Sequence, residues 1–230
     1  MKTNSMKTET LIIKYNLPLK LEEVPFFRGA MVAAAGLNAS ILMHDHDRND
    51  GLRYAYPLIQ YKVIDGKAAV MCINQGIEDS GNLMSACNKK IHIGARHELL
   101  QVASIQPNIA DFSIEGVTRY AISNWLPFNQ DNLLIYQGLT TKEEKIAHLE
   151  KILIGNILSC AKGLGISIND MIQVEIAKLE PPTLVECKHV KMMSFDAEFI
   201  TNVRIPEHIG LGKHASFGYG QISEIKNHNI

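Results

Sequence analysis

Two histidines stand two residues apart in the polar stretch Met43-His44-Asp45-His46-Asp47-Arg48-Asn49-Asp50-Gly51. In extended backbone, residues i and i+2 point to the same side, so the two imidazoles can act on one group. Histidine has the side-chain pKa nearest neutrality, which suits a pair that trades protons. Arg53 follows closely and adds a cation. Such a set has what cleavage of a phosphodiester beside a 2′-OH needs. A base takes the hydroxyl proton, an acid protonates the leaving 5′ oxygen, and a cation steadies the phosphorane. The products of that route are a 2′,3′-cyclic phosphate and a 5′-OH. Two blander descriptions fit the same residues. One is a solvated turn in which the Asp side chains hold the backbone. The other is a metal site, since His and Asp suit zinc or manganese. The His-x-His-x-Asp-His pattern, however, would want Asp at 48 and His at 49, where this chain has Arg48 and Asn49.

A second stretch, Gly210-Leu211-Gly212-Lys213-His214-Ala215-Ser216-Phe217-Gly218-Tyr219-Gly220, combines four glycines with two cations and two aromatic rings. Gly210, Gly212, Gly218 and Gly220 allow tight turns and close approach to a ligand, and successive N–H groups in such turns can cradle an anion. Lys213 and His214 would add charge there, while Phe217 and Tyr219 offer faces on which a base can stack. The alternative is a mobile Gly-rich hairpin. Neither the Walker pattern nor the dinucleotide fingerprint is present, because the stretch runs into a last strand instead of opening a long helix. Among the remaining cations, Arg28 opens the first expected helix, where a phosphate can be held. Arg119 and Arg204 fall in expected strands. His92 and His97 flank Gly94-Ala95-Arg96 and suit surface or structural roles, and His148 reads as part of a solvated helical face.

The scaffold that carries these groups is a chain of 230 residues, 46% hydrophobic and 20% charged, with a net charge of −1. That excludes a strongly basic, non-specific nucleic-acid binder and leaves room only for a local patch on a neutral body. No apolar run reaches the roughly 18 residues of a membrane helix, and residues 1–10 lack a signal-peptide core. Cys72, Cys87, Cys160 and Cys187 are far apart with no Cys-x-x-Cys pair, as expected of reduced thiols in a cytoplasmic protein.

Residues 11–19 read as a strand, and 26–39 as a helix with Phe27, Ala30, Met31, Ala34 and Ala35 at helical spacing. Strands at 56–64 and 67–74 flank the hairpin signal Asp65-Gly66, and a short helix at 81–88 leads to a strand at 98–105. The second half gives a strand at 117–126 and a helix opened by a Thr141/Glu144 capping box, with Ile146, Leu149, Ile152, Leu153 and Leu158 as its apolar face. Strands follow at 171–179, 190–203 and 221–225. The fold class is α+β: two tandem ferredoxin-like βαββαβ units, the second with its last helix replaced by a Gly-rich loop. Domains are expected at 1–112, with the His-rich turn, and 113–230, with the glycine stretch.

Four pieces of the chain resemble the RAMP superfamily, and most closely the CRISPR-associated repeat-processing endoribonucleases. They are Arg28-Gly29-Ala30, the His-rich turn before Tyr56-Pro57-Leu58-Ile59-Gln60-Tyr61-Lys62, the strand around Ser194-Phe195-Asp196-Ala197, and Gly210 to Gly220. The resemblance implies a metal-independent endoribonuclease that cuts precursor repeat RNA and needs no cofactor. It implies His44, His46 and Tyr54 as catalytic residues, with Arg53 as the phosphorane cation. RNA contacts would come from Arg28, Arg204, Lys213, His214 and the four glycines. Partners would be repeat RNA and, in an alternative reading as a non-catalytic RNA-binding subunit, other CRISPR effector subunits. The apolar face of 26–39 serves either the core or a homodimer contact.

Overall fold

A computed structural model describes residues 6–35, 56–187 and 190–226. The chain divides into two units. The described part of the N-terminal unit is Thr8–Ala35, Tyr56–Ala110 and, from far along the chain, Ser216–Gly218. The described part of the C-terminal unit is Met6–Lys7, Asp111–Cys187, Val190–Ala215 and Tyr219–Lys226. The division falls inside two continuous strands, between Lys7 and Thr8 and between Ala110 and Asp111.

In the N-terminal unit, β1 (Met6–Pro18), β2 (Ile59–Ile64), β3 (Lys67–Ile73) and the first part of β6 (Val102–Trp125) form a sheet in the order β2-β3-β1-β6. The β2–β3 hairpin is set by Asp65-Gly66. Both residues take positive φ (53° and 71°), the requirement of a two-residue turn whose twist matches its strands. One sheet face is covered by α1 (Val24–Ala35), which buries Val24, Phe27 and Met31 completely. Phe27 meets Tyr15 of β1 and Tyr61 of β2 edge-on, each with ring centroids 5.8 Å apart. Burying a Phe side chain is worth about 1.5–3 kcal/mol, so this ring carries much of the helix's attachment. A one-turn helix, α2 (Ser80–Met84), and a small hairpin of β4 (Lys90–Ile93) and β5 (Arg96–Leu99) complete the unit. The expected strand at 98–105 is thus divided between β5 and the start of β6.

In the C-terminal unit, the rest of β6 pairs with β9 (Val190–Arg204) on one edge and β10 (Gln221–Glu224) on the other. β7 (Val174–Leu179) continues the sheet beyond β9, giving the order β10-β6-β9-β7, and β8 (Thr183–Cys187) pairs with the start of β9. Two helices lie between β6 and β7: α3 (Gln130–Gly138) and α4 (Lys142–Gly163). The capping box at the start of α4 is formed in full. Thr141 Oγ1 accepts from Glu144 N at 3.2 Å, and Glu144 Oε2 accepts from Thr141 N at 3.1 Å. Its buried face is Leu149, Ile152, Leu153, Ile157, Cys160 and Ala161. Leu158, expected on that face, is 43% exposed instead, because a strict 3.6-residue period brings Ile157 inward.

Each unit therefore has the ferredoxin-like strand order, with the first and third strands central. Where the second unit would place its last helix there is one 3₁₀ turn, Ala215–Phe217.

Candidate functional site

His44, His46, Arg53 and Tyr54 lie outside the described residues. The elements on either side are described: α1 ends at Ala35, and β2 begins at Ile59.

Arg28 sits one turn into α1, and its guanidinium carbon lies 4.7 Å from the Phe217 ring centroid and 5.9 Å from that of Tyr61. Its Nε is buried with no hydrogen-bond partner. Burial lowers the Arg28 pKa from its ordinary value, with the Tyr61 phenol opposing the shift. An Arg remains charged even so, and its flat cation suits a ring face. Beneath it, the Tyr61 and Tyr15 hydroxyls are buried without partners, and burial raises both phenols far above the usual tyrosine value. Gly218 brings its backbone against β2. A Cβ there would lie 3.2 Å from Leu21 Cδ1 and 3.3 Å from the Tyr61 carbonyl oxygen, and φ is +85°.

The remainder of the glycine stretch is held by the C-terminal unit. Leu211 N donates to Gly220 O (2.8 Å), Lys213 N to Leu126 O (3.1 Å) and Gly220 N to Asn124 O (3.1 Å). Three N–H groups that an anion cradle would use are thus committed to carbonyls. Gly212, at φ +87°, passes so close to the Trp125 indole that a Cβ would lie 2.9 Å from Nε1. That indole donates to Asn156 Oδ1 at 2.9 Å and is itself buried, as is Phe128. Phe217 and Tyr219 are only 9% and 5% exposed. The rings read from sequence as open stacking faces are packed, and the stretch is a folded segment, not a free hairpin. Lys213 and His214 are half-buried.

The candidates fall into separate groups. Arg28 is brought to Phe217 and Tyr61, and Gly218 lies against the Tyr61 backbone. Gly212 lies against Trp125 and Leu126, Gly220 against Leu211, and Gly210 against Ala215 and Tyr219. Arg204 is exposed at the end of β9, with Arg119 on the same sheet face. Two features were missed in the sequence. His92 and His97 are directly opposed across the β4–β5 hairpin with ring centroids 4.1 Å apart, both exposed. The Gly94-Ala95 spacing between them was the signal that could have shown this. His148 is half-buried, its Nε2 lying 3.1 Å from the Asn132 carbonyl of α3, because α3 covers part of the face expected to be solvated.

Comparison with known proteins decides the family. Residues 4–111 match the family model described as the Cas6b N-terminal domain, and residues 113–225 match that of the Cas6b C-terminal domain. The chain belongs to the Cas6b family. It is similar to a crystal structure of Cas6b, with a TM-score of 0.84 and 27% identity over 96% of this chain and 100% of that one. A second Cas6b crystal structure, of a protein named as a CRISPR RNA processing endoribonuclease, matches with a TM-score of 0.72 and 25% identity over the same shares. A Cas6 crRNA endonuclease of CRISPR-Cas type IV shares the fold (TM-score 0.55, 12% identity, 96% of this chain and 100% of that one). An uncharacterised protein of Methanocaldococcus jannaschii is 34% identical over 113 residues, 49% of this chain and 76% of its own length. The RAMP-type resemblance and the two ferredoxin-like units expected from the sequence agree with these matches. Among the described residues no helix is long and apolar enough to cross a membrane.

Proposed function

We propose that this Cas6b-family chain is an endoribonuclease that cuts CRISPR precursor repeat RNA without a metal, using the substrate's own 2′-OH. The observation that carries the proposal is the match of both Cas6b domain models, together spanning residues 4–111 and 113–225. Its similarity to a Cas6b structure named as an RNA-processing endoribonuclease gives that match a reaction. In this reading, domain 1–112 supplies the cut. His46 acts as general base or acid, His44 partners or orients it, Tyr54 positions the phosphate and Arg53 stabilises the phosphorane. Domain 113–230 holds RNA through Lys213, His214 and Arg204, and Arg28 adds a contact from α1. The protein works in the cytoplasm, with repeat RNA as its partner.

A denaturing-gel assay on repeat RNA from the source genome, in EDTA and with a 2′-deoxy control, tests this. One cut that resists EDTA and disappears in the 2′-deoxy RNA is expected, with a cyclic phosphate and a 5′-OH at the new ends. In a His44→Ala/His46→Ala variant the rate should fall by about 10²–10⁴-fold with binding retained, the range for removal of a general acid or base. Undiminished cleavage in that variant overturns the catalytic assignment. Tight binding without any cut by the unaltered protein makes it a non-catalytic subunit of a larger CRISPR ribonucleoprotein.

A further inference from the structure

The outer face of the C-terminal sheet carries a break in its pairing. Between Ile114 and Thr118, β6 has three residues, while β9 has a single residue, Asn202, between their partners Val203 and Thr201. The excess is absorbed at Gly116, which takes φ +67° with open space where a Cβ would stand. Bulges of this kind bend a strand and re-aim its side chains. Here Val117 is thrown outward, 79% exposed. Along β9, Phe199, Thr201 and Val203 point inward, so Ile200 and Arg204 face out. Arg119 is paired in register with Ile200 and shares that outer face. Ile225 N donates to Arg119 O (2.9 Å), which carries the β10 edge onward and sets Ile225 and Lys226 along the third side. The result is an open cleft of about 630 Å³.

Its charge is local. Arg119, Arg204 and Lys226 line it with the acid Glu224, and Glu198 beside it offsets Arg119, on a chain whose net charge is −1. Glu198 holds Arg119 at 2.6 Å and fixes the direction of that guanidinium across the face. An exposed Val beside cations is ill suited to a duplex, which turns phosphate and ribose outward and keeps its base faces stacked. A single strand presents both a charged backbone and apolar base faces.

We infer that this cleft seats an unpaired stretch of RNA, with phosphate on Arg204 and Lys226 and a base against Val117 and Ile225. The inference rests on the ribonuclease reading above and names a surface of the C-terminal unit as the place where unpaired substrate is gripped.

Fluorescence anisotropy of the full chain with the repeat RNA, with a short unstructured RNA and with a blunt RNA duplex, between about 50 and about 300 mM salt, tests it. For Arg204→Gln/Lys226→Gln, affinity for both single-strand-containing RNAs should fall by about tenfold. The slope of log K against log salt should flatten by about 0.7 for each phosphate that the variant no longer neutralises. For Val117→Ser, affinity should fall with the slope unchanged, and this variant keeps the test open if the double variant does not fold. Unaltered affinity and slope in a folded double variant overturn the inference, as does an equal drop in affinity for the blunt duplex. Unaltered protein that neither binds nor cuts repeat RNA defeats the ribonuclease reading instead.

Discussion

The Arg28 guanidinium of α1 lies over the Phe217 ring, 4.7 Å from its centroid, although the two residues come from opposite ends of the chain. The stacking ties the helix that leads into the His-rich stretch to the tip of the glycine segment. A partly buried cation over an aromatic ring is worth about 0.5–2 kcal/mol. A double-mutant cycle with Arg28→Ala and Phe217→Leu, read by urea denaturation, should give a coupling energy in that range. Arg28→Lys should recover only part of it, because an ammonium lacks the flat face. Additive single effects would show that the stacking contributes nothing.

Among the described glycines, Gly220 has the closest obstruction. At φ +63° its added Cβ would run into the Leu211 carbonyl oxygen, which belongs to backbone that cannot step aside. Gly220→Ala should therefore cost about 4 kcal/mol or prevent folding, at the upper end of single-residue effects. Gly116→Ala has a similar φ of +67° but open space around it, and should cost about 1–2 kcal/mol from backbone strain alone. Melting temperatures of the two variants check this, and equal shifts would count against the steric explanation.

Alkali should destabilise the N-terminal unit. Burial pushes the Cys72 thiol from 9.0 up to about 12, and raises Tyr15 and Tyr61 above their ordinary 10.0 for the same reason. The unfolded chain releases these protons first. The stabilisation is therefore complete below about pH 9 and is lost as pH climbs through about 10 toward the folded-state values. The urea midpoint should be lower at about pH 10.5 than at about pH 8, and Cys72→Ala should make the fall shallower by one proton's contribution. A midpoint unchanged between the two pH values would refute it.

Local signals with a full set of partners nearby were readable from the sequence. Asp65-Gly66 dictates its hairpin through two positive φ values, and Thr141 with Glu144 satisfies helix-end N–H groups whatever surrounds them. What escaped was set by distant parts of the chain. α3 buries none of its residues, so its sequence carries no apolar stripe to betray it. β8 buries only Cys187 and exists because the first residues of β9 offer it an edge. The same division runs through the candidate site. His44 and His46 stand out by type and spacing. The placement of Arg28 on Phe217, and of Arg204 with Arg119 across the β6 bulge, depends on pairings between segments far apart in sequence, which spacing alone does not encode.

The assignment of Ser216–Gly218 to the N-terminal unit bears on how the protein is made. A ribosome that has released Ala110 must add about a hundred more residues before this tripeptide emerges. At roughly 5–20 residues per second that is a delay of about 5–20 s, during which Arg28 has no Phe217 to lie against. The half of the chain that is synthesised first is thus among the last to be finished.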